Sequence, residues 1–338
     1  MCIRDFFQGD CNMKAKALII VTVAAAWVLA GCDENENRNL QVTTSSQNNI
    51  VMELAGDGDK LVAQKKLEAA GEITSADGVK IAYWSIDAHG KSKGTAVILH
   101  GLYESKANYM GMGKKLAADG YDVVLVDLRH HGDSGGKYIT CGAKEKDDVK
   151  AIMDKLSAEG KIAQPFYVFG VNYGAVTGIL YAEIDPRVKG VVAIGPWQDT
   201  VTKFKRDLGL FASPEDLNKA LENAKEDAGF DPRGTSALES ARHLTCPLYL
   251  IHGTADLIVP VSDSEAIFAV ANKPKELKVV LAGSPEQIII GMDYDGWLAR
   301  QVEKVAKDQV GKKKVSAKNK AAKAVKKTPA KKQAVEVK

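Results

Sequence analysis

Hydrophobic residues recur in short runs from about residue 67 to about residue 310, and longer amphipathic segments separate them. The main runs are TAVILH, DVVLVD, PFYVFG, GVVAIG and PLYLIH, at 95–100, 122–127, 165–170, 190–195 and 247–252, with weaker strand patterns at 79–83 and 277–281. Such runs are typical of strands buried on both faces. The segments between them, at about 105–118, 143–158, 174–184, 263–272 and 293–309, favour helices. The alternation predicts an α/β domain with a doubly wound, mostly parallel sheet.

One segment interrupts this alternation. Residues 199–244 are polar and helix-prone, and they lie between the strands predicted at 190–195 and 247–252. We expect this insertion to form a small helical cap over one end of the sheet.

A short apolar segment follows two lysines near the N-terminus. Lys14 and Lys16 precede the 14-residue run 17–30, which is short for a bilayer span but suits the core of a signal peptide. The run ends in Leu-Ala-Gly-Cys32, which resembles the lipobox of bacterial lipoproteins. The resemblance implies that 1–31 is a signal peptide, with Met13 as the start codon, and that Cys32 carries the lipid. An uncleaved anchor and plain secretion are the alternatives.

The lipobox resemblance also predicts a location and a partner. It implies a protein of the bacterial cell envelope that faces the periplasm or the cell exterior, with the membrane as its partner through the lipid on Cys32. Asp33 follows the cysteine, and an aspartate there resembles an inner-membrane retention signal. Residues 32–66 are mostly polar, so we expect a flexible tether before the domain at 67–310.

The C-terminal segment has a charge of its own. Residues 311–338 contain eleven lysines and one acid, Glu336, while the other 310 residues are net acidic. The segment has no aromatic residue, and we expect it to be disordered. Anionic lipid or an anionic envelope polymer is its expected partner, and export makes nucleic acid an unlikely one. A solubilising tail without a partner is the alternative.

The cysteines predict neither a zinc site nor a disulfide framework, because no two of them have CxxC spacing. After processing at Cys32, only Cys141 and Cys246 would remain as ordinary thiols. We expect them to be buried, and a bridge between them stays open. The sequence predicts no metal site and no cofactor.

Four landmarks follow predicted strands in order. They are His100-Gly101, the loop DLRHHGDSGG at 127–136, Gly170-Val-Asn172-Tyr-Gly174, and HGTADLIVP at 252–260. Together they resemble the α/β-hydrolase family, in particular its serine aminopeptidase and monoglyceride-lipase-like branch, over about 70–309. The resemblance implies a nucleophile–acid–histidine triad and an oxyanion hole of backbone amides.

The nucleophile position departs from this family. A serine is expected between Gly170 and Gly174, but the residue there is Asn172. A carboxamide has no hydroxyl for a base to deprotonate, and its nitrogen lone pair is delocalised. Asn172 therefore predicts the loss of serine-type chemistry.

The acid position is kept, but the histidine position is not. The resemblance assigns the acid to Asp256, for which a turn-capping role is the alternative. No histidine follows Asp256 in the sequence, and Glu286 falls approximately at the histidine position. The backbone amides of Leu102 and Tyr173 would still supply the oxyanion hole.

These substitutions leave two hypotheses for function. The first is a membrane-anchored pseudoenzyme that acts by binding a ligand or a partner. The second is an active esterase, lipase or aminopeptidase with non-standard catalytic residues, so the sequence leaves open whether the protein is an enzyme.

Overall fold

Eight strands form one sheet in the computed structural model, which describes residues 69–209 and 212–281. Their order across the sheet is β1-β2-β4-β3-β5-β6-β7-β8. Their bounds are β1 Ala69–Thr74, β2 Lys80–Ile86, β3 Thr95–Leu99, β4 Asp122–Val126, β5 Phe166–Val171, β6 Val188–Ile194, β7 Leu248–Gly253 and β8 Lys275–Val280. The predicted signal peptide, Cys32, the tether, Glu286 and the lysine-rich segment lie outside the described residues.

Most of the sheet is parallel. Neighbouring strands from β4 through β3, β5, β6 and β7 to β8 pair in parallel, whereas β2 runs antiparallel to both β1 and β4. Every residue of β3, β4, β5 and β7 is buried. Burial on both faces explains the uninterrupted apolar runs, because neither side of these strands meets water. The predicted fold class is confirmed.

Helices cover both faces of the sheet, and each face has its own apolar cluster. The helices are α1 Met110–Ala118, α2 Glu145–Ala158, α3 Tyr173–Ile184, α4 Thr200–Leu208, α5 Pro214–Ala228, α6 Ala237–His243 and α7 Val261–Val270. Helix α1 packs on one face through Met112 and Leu116. Helices α2, α3, α6 and α7 contribute to the cluster on the other face.

The inserted segment is helical, as expected. It contains α4, α5, a 3₁₀ turn at Pro232–Gly234 and α6. Asp199 caps α4 by accepting a hydrogen bond from the Thr202 amide, and Ser213 begins α5 with a capping box. Helix α6 packs against α3 and α7, so it belongs to the layer beside the sheet. The cap itself therefore consists of α4, α5 and the 3₁₀ turn.

Strand β1 has no counterpart among the predicted strands. Its residues, AAGEIT, alternate between half-buried and exposed along the edge of the sheet. An edge strand needs few large apolar residues, and β1 has only Ile73. Its hydrophobic pattern is therefore too weak to be recognised from the sequence.

Two further observations bear on the sequence analysis. Cys141 and Cys246 are buried and form no disulfide, which confirms the expectation of buried thiols and leaves them unbridged. Within residues 69–209 and 212–281, no helix is both long and apolar enough to cross a bilayer.

Candidate functional site

Asn172 forms the sharp turn between β5 and α3. Its backbone has φ 48° and ψ −106°, which lies outside the left-handed region that residues with a Cβ atom tolerate. The Asn172 amide donates to the Ile194 carbonyl at 2.7 Å, and its carbonyl accepts from the amides of Ala175 and Val176, each at 3.1 Å. The backbone of this turn is thus fixed on both sides, and the Asn172 side chain is half-buried.

Glycines flank Asn172 because the turn leaves no room for side chains. A Cβ atom on Gly170 would lie 2.2 Å from the Gly174 carbonyl oxygen, and one on Gly174 would lie 2.3 Å from the Leu99 carbonyl oxygen. Both contacts are with backbone atoms, which cannot move away as a flexible side chain would. The geometry of a nucleophile turn is therefore kept around Asn172.

The Asn172 side chain does not cap the helix that follows it. Asparagine is among the preferred residues at this position because its side-chain oxygen can accept from the first free amides. In this turn it makes no such bond, and the structure gives it no hydrogen bond to any other described residue. Helix capping therefore does not explain asparagine at the turn.

The backbone amides of Tyr173 and Leu102 are the two that the family resemblance assigns to an oxyanion hole. The amides of Tyr173, at the start of α3, and of Leu102, after β3, donate no hydrogen bond to a residue in the described part of the chain. Both residues follow the carboxyl ends of adjacent parallel strands, β5 and β3. Free amides at a helix start favour a carbonyl oxygen or an anion.

A carboxylate holds the loop that carries Leu102. One oxygen of Glu104, Oε2, accepts from the Gly101 amide at 2.7 Å and from the Tyr109 hydroxyl at 2.7 Å. Sequence reasoning missed Glu104, because its partners become neighbours only when the loop folds back on itself. Glu104 thus fixes the loop after β3, on which the predicted oxyanion amide of Leu102 lies.

Asp256 follows β7 at the same edge of the sheet. Its Oδ1 accepts from the amides of Ile258 at 2.9 Å and Val259 at 2.8 Å, which is the turn-capping role that the sequence left open. Its Oδ2 is buried and has no hydrogen-bond partner among the described residues. The structure therefore shows the turn-capping role of Asp256, and its role as a catalytic acid stays a prediction.

A serine, a histidine and an aspartate do lie together near β7, but they are not an accessible triad. Ser264 Oγ donates to His252 Nδ1 at 2.7 Å, and His252 Nε2 donates to the Val259 carbonyl at 2.9 Å. Asp256 Oδ2 is 3.5 Å from the same Nε2, beyond a good hydrogen bond. Ser264 and His252 are fully buried, so these residues hold the loop after β7 and cannot meet a substrate.

The loop after β4 is held by a buried ion pair. The Lys106 ammonium contacts Asp127 Oδ2 and lies 2.6 Å from Asp133 Oδ2, and the Lys106 side chain is 1% exposed. The backbone amide of Lys106 also donates to Asp127 Oδ1 at 2.7 Å. Ser134 Oγ completes this arrangement by donating to the Asp127 carbonyl at 2.7 Å.

The neighbouring histidines are neutral packing residues. His100 Nε2 accepts from the Leu128 amide at 2.9 Å, so its Nδ1 carries the proton and donates to the Gly101 carbonyl at 2.7 Å. Burial lowers the pKa of His100 to about 4 and that of His131 to about 3. The His131 ring lies between His100 and Tyr173, with centroids 4.9 and 5.6 Å away. Neither ring reaches Asn172 by any hydrogen bond found among the described residues.

The structure brings together some of the predicted site residues and leaves others outside the described part. Asn172, Asp256 and the amides of Leu102 and Tyr173 lie at one edge of the sheet. Glu286 and Cys32 fall outside the described residues, so their roles stay predictions. Within 69–209 and 212–281, no group of three or more histidine, cysteine, aspartate or glutamate side chains is arranged to hold a metal ion.

The sheet order, the turn at Asn172 and the carboxyl-edge site define an α/β-hydrolase fold. Solved structures agree with this assignment. An esterase of Pyrococcus furiosus, Pf2001, is 28% identical with a TM-score of 0.57, and the match covers 73% of this chain and 94% of that one. The α/β hydrolase GrgF from Penicillium sp. sh18 is 16% identical with a TM-score of 0.55, covering 71% and 98%, and this likeness concerns the fold alone.

Sequence comparisons give the particular relatives. The family described as serine aminopeptidase, S33, matches residues 90–223. A monoacylglycerol lipase of Mycolicibacterium smegmatis is 26% identical over 266 residues, which is 65% of this chain and 93% of that protein. The uncharacterized protein YqkD of Bacillus subtilis is 27% identical over 217 residues, covering 62% and 70%. The chain is thus an α/β-hydrolase-fold protein that is similar to esterases and lipases.

Proposed function

We propose that this protein is a lipid-anchored member of the α/β-hydrolase fold that binds an acyl compound without hydrolysing it. The observation that carries the proposal is Asn172, which occupies the turn where these enzymes hold their nucleophile. The turn keeps its close-packed glycines and its backbone hydrogen bonds, whereas the hydroxyl that would attack a carbonyl carbon is absent. Removing the nucleophile alone costs most of the rate in triad enzymes.

The missing histidine supports the same proposal. A general base must lie within hydrogen-bond reach of the proton it takes. Among the described residues, His100, His131 and His252 are buried, and each forms at least one ring hydrogen bond to a backbone carbonyl. No histidine follows Asp256 in the sequence, and Glu286 at the family's histidine position could not relay a proton as imidazole does.

The amides of Tyr173 and Leu102 support a binding role. Two amide donors can hold a carbonyl oxygen or a carboxylate without any catalytic side chain. The similarity to a monoacylglycerol lipase and to an esterase favours an ester or a fatty acid as the ligand. The Cys32 lipobox would keep the domain at the membrane, where such compounds are concentrated.

Labelling with a fluorophosphonate tests the loss of serine chemistry. The full chain would be incubated in membranes with the probe, beside a serine esterase as a positive control. We expect no labelling of this protein, because Asn172 offers no hydroxyl to phosphonylate. Labelling that denaturation abolishes would show an active serine elsewhere and would contradict the proposal.

Fractionation tests the anchor separately. The full chain and its Cys32→Ala variant would be produced in a bacterium and separated into soluble and membrane fractions. We expect the Cys32→Ala variant to lose the lipid and to leave the membrane to a greater extent than the full chain. Equal membrane association of the two proteins would contradict lipidation as the tether.

A further inference from the structure

Three aliphatic side chains are exposed near the carboxyl ends of the parallel strands, where Asn172 and Asp256 also lie. Leu257 is 97% exposed, Ile258 53% and Leu281 85%. Leu257 and Ile258 follow Asp256 directly, and Leu281 is the residue after β8. These three residues form a surface that we call the apolar rim.

The two segments of the apolar rim are neighbours. Strands β7 and β8 pair in parallel, with Gly253 opposite Val280, so their carboxyl ends lie side by side. The Thr254 amide then donates to the Val280 carbonyl at 2.9 Å. The loop that carries Leu257 therefore begins next to the end of β8, where Leu281 follows.

The exposure of the rim is built into the fold. Asp256 Oδ1 accepts from the amides of Ile258 and Val259, and buried His252 donates to the Val259 carbonyl. These hydrogen bonds fix the backbone on both sides of Leu257, and its side chain lies at the tip of the loop. Adjacent exposed leucine and isoleucine side chains mark a contact surface.

We propose that the apolar rim inserts into the surface of a lipid bilayer that contains anionic lipids. The rim is aliphatic, whereas protein interfaces favour tyrosine, tryptophan and arginine at their centres. The chain that leaves the structure after Leu281 leads to the lysine-rich residues 311–338, whose charge complements an anionic membrane. The proposal rests on the membrane anchor of the proposed function.

The anchor brings the rim within reach of the membrane. Cys32 precedes β1 by 36 intervening residues in the sequence. In this proposal the rim, and not the anchor, determines which side of the domain meets the bilayer. In that orientation the edge with Asn172 and Asp256 faces the lipid, and an acyl ligand reaches the site from the bilayer.

Fluorescence quenching in vesicles tests the orientation. The full chain would be reconstituted into phosphatidylcholine–phosphatidylglycerol vesicles as Leu257→Cys, Leu281→Cys and the matched control Ala151→Cys, each labelled with an environment-sensitive dye. Ala151 is exposed in the middle of α2, away from the rim. The unsubstituted protein, labelled in parallel, corrects for its own cysteines, and thermal unfolding of each variant checks the fold.

We expect a blue shift and loss of emission with brominated lipids at positions 257 and 281, and neither at position 151. Three results would overturn the proposal: no quenching at the rim in membrane-bound protein, equal quenching at all three positions, or a blue shift without quenching by lipid. The last result would show that the rim is covered by residues 282–310 of the same chain, by a second copy or by a protein partner. Failure of the anchor is seen separately, as membrane association that Cys32→Ala leaves unchanged.

Discussion

Replacement of Asn172 by glycine should make the protein more stable. The backbone of Asn172, at φ 48° and ψ −106°, is close to the first central position of a type II′ turn, at about +60° and −120°, where glycine is favoured. A side chain in a sparsely populated region costs about 1–3 kcal/mol. The added flexibility of glycine in the unfolded chain costs up to about 1 kcal/mol.

The net gain expected for Asn172→Gly is therefore about 1 kcal/mol. For a domain of this size, 1 kcal/mol raises Tm by about 2–4 °C. The matched control is Asn172→Ala, which keeps the Cβ atom and therefore the strain but removes the carboxamide. Because the Asn172 side chain makes no hydrogen bond with the described residues, Asn172→Ala should leave Tm nearly unchanged.

Urea denaturation and thermal unfolding of the full chain would measure both variants. A glycine variant less stable than the alanine variant would refute the reasoning. It would mean that the turn is unstrained, or that the flexibility cost exceeds the strain. If both variants lost stability equally, the carboxamide would have a stabilising partner.

Three further predictions follow from the same site. Gly174→Ala should lower the free energy of unfolding by about 1–3 kcal/mol or more, because its Cβ atom would meet the Leu99 carbonyl. The control Gly234→Ala has open space around it and should not lower it. Similar urea midpoints for the two variants would contradict this prediction. His131→Phe should make stability less sensitive to acid. The pKa of His131 is about 3 in the folded protein and about 6.5 in the unfolded chain. Its contribution to stability is therefore complete above pH 6.5 and is lost as the pH falls towards 3. An equal loss of stability in wild type and variant between pH 7.5 and 5 would contradict this prediction. Asn172→Ser alone should not hydrolyse esters, because no histidine follows Asp256 in the sequence. Turnover by this variant would reveal a histidine brought in from elsewhere.

Much of the sheet and the turn could be predicted from the sequence, because their physical constraints act on neighbouring residues. Strands β3, β4, β5 and β7 are buried throughout and β6 is buried from Gly190 to Ile194, so each leaves an apolar run. The turn at Asn172 needs small residues on both sides, so Gly170 and Gly174 mark it. Strand β1 leaves no such pattern, because one edge strand with half-exposed residues needs little apolar surface.

The parts of the site that depend on distant contacts could not be predicted in this way. Glu104 holds the loop after β3 through Gly101 and Tyr109, and nothing in the local sequence distinguishes it from a surface glutamate. Ser264 reaches His252 from a different element. The motif identifies Asp256 as a candidate acid, whereas the structure shows that its Oδ1 holds the turn by accepting hydrogen bonds from the amides of Ile258 and Val259.

Ester turnover by the unmodified protein tests the central claim most directly. The full chain in membranes would be assayed with p-nitrophenyl esters of increasing acyl length, beside its Asn172→Ala variant. The account predicts that both proteins release p-nitrophenol at the rate of membranes without either protein. Turnover by the unmodified protein that Asn172→Ala abolishes would contradict it, because Asn172 would then take part in the chemistry.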